Sequence, residues 1–590
     1  PYPALLTHHR LHVQETSPFI FRTRRPTPPK LLGMASRDVG IEERVPFLAP
    51  ESSTTQESMT IEEKTLGPAP KTDTFLLILG ILNYHWNNIL QYRPRWTIKS
   101  PRHVLILALK LGSWLVPSFL QPGSPSSDEL HETAYLDGLR GYASYAVFFS
   151  HVISAYCNEG WHPYGEGNNN HFVQTDHWFQ RPIFRMVYNG QAAITIFFVL
   201  SGYVLSYKPY KLIHAREFEK LQGALTSTIF RRWSRLFLPV AALWVINIFL
   251  VEFNAFQWFA VYRIDNPGMP PGMIEEYLER GDSFWGTVYN AYTDYFEFAR
   301  ATLWKWSGIG MLPKVDGHTW TLHVEFRSSC VLFLCLHGTS RMQPNLRLAV
   351  FMLSSATALF WGEWAIGTFL AGSALADLDL RMRRRTGQSR SSPNELSDGL
   401  SLGSLRSDGR STNITALKER AMSFVEAQGD QLFWAVVFVW ALLFLSYPTV
   451  GADKVAFYSL LSYWSPSAAW DLFFWLAVGG ILLVFVAGRL RILQRGLESP
   501  FSQYIGKTSF ALYLVHGTVI KTLGHYVVIN SWLHITGYSG WGYAMGIVGP
   551  FLLFIAPVTI VATDWFWRGV DIPTVRFGKW LEGICLDKTL

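Results

Sequence analysis

The sequence predicts an all-α, polytopic membrane bundle of about ten transmembrane helices, and three observations predict it. Of 590 residues, 49% are hydrophobic and 15% aromatic, while only 16% are charged, well below the roughly 25% of soluble domains. Apolar runs close to the ~20 residues of a spanning helix recur along the chain. Lys and Arg gather on alternate loops between those runs, which is the positive-inside pattern. The net charge of +7 follows from that topology, so no nucleic-acid face is implied.

Ten runs qualify: 141–158, 188–207, 236–257, 318–337, 346–361, 363–379, 431–448, 469–488, 508–529 and 541–566. Two earlier stretches, 74–91 and 103–120, read as interfacial or re-entrant. Asn83, His85, Asn87 and Asn88 break the first, and Lys110 lies in the second. A span at 103–120 is the alternative for the latter.

Basic residues follow the second span (Lys208, Lys211, Arg216, Lys220, Arg231, Arg232, Arg235), the sixth (Arg381, Arg383, Arg384, Arg385, Arg390) and the eighth (Arg489, Arg491, Arg495, Lys507). Arg341 and Arg347 lie between the fourth and fifth, and Arg568, Arg576 and Lys579 after the tenth. With ten spans these loops share one side, which places both termini in the cytoplasm. The opposite loop, 258–317, is acidic and carries Glu275, Glu276, Asp282 and Asp294. Its aromatic residues read as an interfacial belt in preference to a sugar-stacking surface.

The domain organisation follows. Residues 1–72 are polar and expected to be disordered. Within them 1–33 have no apolar signal core, and Met34-Ala-Ser-Arg reads as a natural start, so 1–33 look like an extension. Residues 73–132 form an interfacial lead-in, 133–570 the membrane domain and 571–590 a cytoplasmic tail. The Ser/Arg/Gly-rich segment 381–430 reads as a disordered cytoplasmic insertion, where the Asn413-Ile-Thr sequon would stay unmodified. Cys157, Cys330, Cys335 and Cys585 form no CxxC, so neither a disulfide framework nor a metal site is expected. His162, His171 and His177, in the first non-cytoplasmic loop, show no metal-ligand spacing.

Ionisable groups inside spans are costly and mark functional sites. The first span is entered through Tyr135-Leu-Asp-Gly-Leu-Arg-Gly141 and continues to His151. Asp137 and Arg140 stand at its cytoplasmic mouth. His151 is eleven residues beyond Arg140, about 16 Å deeper on a helix. A poorly hydrated imidazole is biased to its neutral form, which can accept a hydroxyl proton. Arg140 stays charged and suits a phosphate-bearing ligand, with Asp137 fixing it. Taken singly, either residue reads as a topology anchor or a packing histidine; together they point to a site. Glu325, in His318-Thr-Trp-Thr-Leu-His-Val-Glu, lies about 10 Å into its span, at a depth similar to His151. It could orient that imidazole, contact an acceptor, or simply bond another helix. His323 is a weaker candidate on another helix face. Ser201, in Phe197-Phe-Val-Leu-Ser-Gly202, is a candidate ligand contact, although Ser-Gly more often serves close helix packing. No Gly-x-Ser-x-Gly elbow marks it as a nucleophile. His516, in Tyr513-Leu-Val-His516, lies at mid-depth as a site or a packing residue.

These residues resemble the acyltransferase-3 family of membrane O-acyltransferases, in its fungal form. The resemblance covers roughly 133–570. It rests on Leu136-Asp-Gly-Leu-Arg-Gly141 followed by His151, with support from Phe197–Gly202, Trp320-Thr-Leu-His-Val-Glu325 and Tyr513–His516. It implies a ten-helix enzyme that moves an acyl group, often acetyl, from cytoplasmic acyl-CoA to a hydroxyl of a carbohydrate, lipid or secondary metabolite. Arg140 and His151 match the family's Arg-x10-His pair and Glu325 its acidic position. Acyl-CoA, acetyl-CoA foremost, is then the donor substrate, and no permanent cofactor or metal is expected. The expected location is multi-pass, in an endomembrane or the plasma membrane. The chain departs from some relatives in lacking a fused soluble domain and in having the 381–430 insertion. Two other readings suit intramembrane His, Glu and Arg: a proton-coupled transporter of a small organic anion, and a non-catalytic scaffold. Against the transporter, no duplicated halves are visible.

Overall fold

The computed structural model describes residues 112–121, 130–157, 160, 162–165, 177–264, 276–304, 312–385, 412–466, 471–538 and 540–586. The predicted polar N-terminal region, the first interfacial stretch, His171, and 386–411 of the predicted insertion lie outside the described residues.

The described residues are helical, without a strand among them. In chain order the helices are α1 Ala134–Tyr156, α2 Gly190–Ala215, α3 Phe218–Glu252, α4 Gln257–Ile264, α5 Phe284–Trp304, α6 Trp320–Thr339, α7 Pro344–Phe360 and α8 Trp364–Arg385. After these come α9 Thr412–Leu445, α10 Ala456–Tyr463, α11 Asp471–Ala487, α12 Arg491–Leu497 and α13 Pro500–Val519. The last are α14 His525–Ser531, α15 Gly540–Pro550, α16 Ala556–Phe566 and α17 Ile572–Cys585, with π-helical turns at Ile520–Gly524, Trp532–Thr536, Phe551–Ile555 and Trp567–Asp571.

Each of the ten apolar runs falls on a helix. Among the described residues, 5 helices are long and apolar enough to cross a membrane, or up to 6 if α11 and α12, bent by 90° at their junction, form one span. Apolar side chains left bare on outer faces, such as Leu334 (74% exposed) and Leu553 (71%), suit hydrocarbon better than water. Two features differ from expectation. The helix α9 begins at Thr412, so 412–430 is helical where a disordered insertion is expected. The acidic loop 258–317 contains α4 and α5. On α5 Trp285, Tyr289, Tyr292 and Phe296 are exposed at helical spacing, as one outward stripe.

Two close helix pairs set the frame. Helices α2 and α8 touch through glycine: a Cβ on Gly202 would lie 2.1 Å from the Phe369 carbonyl oxygen, and one on Gly372 2.0 Å from that of Val199. Small residues let backbones approach this closely, the main source of helix association in lipid. The Ser201-Gly202 pair thus packs through its glycine, which leaves the serine free to turn elsewhere. Helix α1 meets α13 in the same way, since a Cβ on Gly506 would lie 2.4 Å from the Asp137 carbonyl oxygen. The 90° bend before α12 brings the Leu497 carbonyl to 2.1 Å from where a Gly138 Cβ would be. The glycines of Leu-Asp-Gly-Leu-Arg-Gly therefore fix where the Arg140 and Asp137 side chains emerge.

Local chemistry ends the helices. Asn189 caps α2 by accepting from the Ala192 N–H at 3.3 Å, and its amide donates to the Leu445 carbonyl at 2.9 Å. Pro500 opens α13 behind Ser499, whose hydroxyl accepts from the Ser502 N–H at 3.3 Å, a favoured arrangement. Ahead of α1, Glu132 is held by the Tyr207 hydroxyl at 2.5 Å and the Lys211 ammonium at 3.0 Å. Those two partners keep its carboxyl below the usual carboxylate range. Of the second lead-in stretch only 112–120 is described. It is pinned to the end of α16: the Ser118 N–H donates to Asp564 at 3.1 Å, and Arg568 donates to the Trp114 carbonyl at 2.7 Å.

Candidate active site

The first part of the site is a cavity of about 190 Å³, partly open to solvent, between α1, α2, α3, α6 and α13. Arg140, Arg232, Arg235 and Lys507 line it, with Asp137, Glu325 and Asp571. Four cations against three carboxylates leave a net positive wall. Apolar residues, among them Ile194, Phe197, Leu236, Leu322 and Phe510, line the rest.

Within it Arg140 is committed on three sides. Its Nε donates to Ser509 Oγ at 3.0 Å and its Nη2 to the Gly506 carbonyl at 2.9 Å. Asp137 pairs with it at 3.1 Å and takes His131 on its other oxygen at 3.0 Å. The Asp137–Arg140 pairing read from the sequence is present, and the arginine also ties α1 to α13. Glu325 accepts from Ser201 Oγ at 3.1 Å and from Arg232 Nη2 at 2.7 Å. Arg232 further donates from Nε to Ser329 at 3.1 Å. Ser201 and Glu325 are therefore brought together, with an arginine that the sequence reading had counted only toward topology. Lys507 and Arg235 were missed for the same reason.

The second part lies behind the first. His151, half-buried, and the buried His318 and His516 form a cluster whose ligating nitrogens all lie within 4.8 Å of one another. Ring centroids are 3.6 Å apart for His151 and His318, 4.8 Å for His318 and His516, and 5.2 Å for His151 and His516. His516 Nδ1 lies 3.0 Å from the Leu512 carbonyl oxygen. It donates there, so Nε2 carries the lone pair. His318 Nδ1 lies 2.7 Å from Asp316 Oδ1, within ion-pair distance. A small pocket of about 10 Å³ adjoins the cluster, lined by His151, His318, Phe259, Lys521 and His525 among others.

Tyr513 connects the larger cavity to the histidines. It lines that cavity, donates its hydroxyl to the His318 carbonyl and meets Thr321 Oγ1 at 2.6 Å. The structure thus brings His516 to His151 and leaves Glu325 in the other cavity. His323 is buried against Phe298, with ring centroids 6.0 Å apart, outside the cluster. The acidic partner of the histidines is Asp316, which the sequence reading passed over. The signal was an Asp-x-His immediately before a helix: Asp316 caps the Gly317–Thr319 turn, accepting from the His318 N–H at 3.3 Å.

The turn carrying Asp316 and His318 is held by Asp294 of α5. That carboxylate accepts from the Lys314 N–H at 2.8 Å, the Val315 N–H at 3.2 Å and the Trp244 indole at 3.1 Å. Asp294→Ala strands these donors. Each unsatisfied buried donor costs about 1–3 kcal/mol, so the midpoint of thermal unfolding in detergent should drop, with Asp294→Asn falling between. An unchanged midpoint would show that the carboxylate does not hold the turn.

Comparison with known proteins gives the family. The acyltransferase-3 family model, described as an acyltransferase domain, matches residues 133–564. The chain is 30% identical over 482 residues to the O-acetyltransferase PaAT-1 of Phomopsis amygdali, covering 79% of this chain and 87% of that protein. It is 25% identical over 488 residues to acyltransferase R4 of a Phoma species, covering 77% and 95%. It is also 25% identical over 437 residues to acyltransferase clz18 of Cochliobolus lunatus, covering 68% and 85%. No solved structure matches the chain. With the family model spanning most of the chain, and with Arg140, His151 and Glu325 all set in the cavities of one helical bundle, this protein belongs to the acyltransferase-3 family of membrane acyltransferases.

Proposed function

We propose that this protein transfers an acetyl group from acetyl-CoA to a hydroxyl of a carbohydrate, lipid or secondary metabolite, within a ten-span bundle whose termini are both cytoplasmic. The observation that carries this reading is a cavity lined by four cations, one of whose lining residues, Tyr513, bonds the His318 carbonyl of the histidine cluster. A CoA thioester is anionic at one end and slender and weakly polar at the other. The Arg232, Arg235 and Lys507 side of the cavity suits its phosphates, and the apolar wall suits its arm. Arg140 braces the wall and adds charge at the mouth.

His151 is the general base. It takes the proton of the acceptor hydroxyl as the oxygen attacks the thioester carbonyl. The carbon–sulfur bond breaks and the proton passes to the departing thiolate. Ser201 and Glu325 hold Arg232 against the donor; His516 closes the inner wall of the base. The side chain of Tyr513 gives way to let the acetyl end reach the histidines. The 30% identity to an O-acetyltransferase supports acetyl as the group moved.

The direct test is thiol release from acetyl-CoA by the purified full-length protein. An extract of a strain deleted for this gene serves as the source of unacetylated acceptor. Acceptor-dependent thiol release with an acetylated product is the expected result. Flux of a small organic anion into liposomes without CoA consumption would replace this reading with a transporter.

A further inference from the structure

We propose that α5 lies inside the membrane beside the span α3 and presents its aromatic stripe to the acyl chains of the bilayer. The proposal goes beyond the reaction given above and is independent of the role assigned to His151.

Contacts between the two helices set their register. Near one end Thr287 donates to Glu252 at 2.5 Å, and the Phe284 and Phe249 rings lie 6.3 Å apart. Further along, the Trp244 indole donates to Asp294 at 3.1 Å and the Tyr295 hydroxyl to the Phe237 carbonyl at 3.2 Å. Phe298 then meets Phe237, with ring centroids 5.6 Å apart. Helix α5 therefore runs antiparallel to α3 from the level of Glu252 to that of Phe237. That interval is about 22 Å of helix rise, most of a hydrocarbon core of about 30 Å. Since α3 is long and apolar enough to cross a membrane, a helix alongside it over this distance shares its surroundings.

The two faces of α5 fit that placement. Thr287, Ala291, Asp294 and Phe298 are buried against the bundle, while Trp285, Tyr289, Tyr292 and Phe296 are 53–74% exposed. The spacing of both sets is helical. The exposed set holds no charge. Arg300, exposed one turn later, is neutralised by Glu297 at 2.5 Å. Through Phe284 and Phe249 the stripe joins the outer face of α3, where Val245 and Phe249 are also exposed. A continuous apolar and aromatic surface at the level of a span suits lipid better than water.

Helix α5 adds no crossing of its own. Lys314 and Val315 are back at the level of Asp294, which accepts from both of their N–H groups. Helix α6 then runs in the same direction as α5, with its Phe326 ring 5.6 Å from that of Phe237. The two helices thus make one crossing between them, which leaves the alternation of basic loops intact. Non-helical backbone at membrane depth is tolerated where protein covers it and its polar groups are satisfied. Val315, Asp316 and Thr319 are at most 1% exposed, and Asp294 supplies the acceptors.

The test places spin labels at Tyr289→Cys and Tyr292→Cys in full-length protein whose four native cysteines are replaced by serine. In phosphatidylcholine nanodiscs, both labels should collide more with oxygen than with a water-soluble nickel chelate. Greater collision with the chelate at either position overturns the proposal in favour of a water-facing surface, such as one that stacks sugars. Spin–spin broadening between chains at both positions overturns it in favour of a second copy of this protein. Hydroxyl-radical footprinting of the unsubstituted protein in the same nanodiscs gives a reading that no misfolded variant can distort. Tyr289 and Tyr292 should oxidise several-fold less than in the denatured chain, and equal oxidation would also overturn the proposal. Neither readout uses activity, so failure here leaves the proposed reaction standing.

Discussion

His151→Ala should lower acetyl transfer about 10²- to 10⁴-fold, the usual worth of a positioned general base, while the protein still folds and inserts. The structure explains why the loss should be confined to chemistry. His151 lines the small pocket and faces other histidines. The close contact of α1 with α13 is carried instead by Gly141, Gly506 and Arg140. Acetyl-CoA binding should survive, because the donor cavity is lined by other residues. The measurement is kcat from thiol release beside CoA binding to the same preparation. Unchanged turnover in His151→Ala would sink the assignment.

The second large effect belongs to the donor side. Lys507→Ala and Arg235→Ala remove cations from the wall of the larger cavity without touching the histidines. A charge-assisted contact to a phosphate is worth about 1.5–3 kcal/mol, which is about 10- to 100-fold in affinity. Each variant should therefore raise KM for acetyl-CoA by that factor and leave kcat nearly untouched. A fall in kcat at unchanged KM would move CoA out of this cavity. Arg232→Ala is a less clean probe, since it also leaves Glu325 without its cation. Breaking such a pair destabilises by more than the pair itself contributes.

Much of this was legible in the sequence, and the residues show why the rest was not. Leu-Asp-Gly-Leu-Arg-Gly carries its own geometry: glycines at helix spacing and an Asp and Arg three apart form a helix contact with a built-in ion pair. The depth of His151 and Glu325 could be counted from the ends of apolar runs. No count singled out His318, the first residue of its run. The turn at 312–319 is instead drawn in against α5 by Asp294, which places His318 beside His151. Helix α5 was hidden for a related reason. Its exposed stripe is aromatic and its inner face holds Asp294, so neither run length nor hydropathy announced it. The cavity's cations were visible but explained too well by topology: Arg232, Arg235 and Lys507 belong to the basic loops and line the cavity at once.

The π-turn at Ile520–Gly524 has a consequence for how this enzyme could diversify. There His525 Nδ1 bonds the Ile520 carbonyl at 2.9 Å, five residues back. One residue more than an α-turn needs has been accommodated, a feature common at functional sites. Removing it would turn everything downstream by about 100°. Lys521 and His525 would rotate away from the small pocket while His516, a turn upstream, kept its phase. The helix is thereby divided into a segment whose orientation is set by the reaction and a segment whose orientation can be re-indexed by single insertions or deletions. Relatives with the same histidines but a different length at this turn would present a different wall to an unaltered cluster.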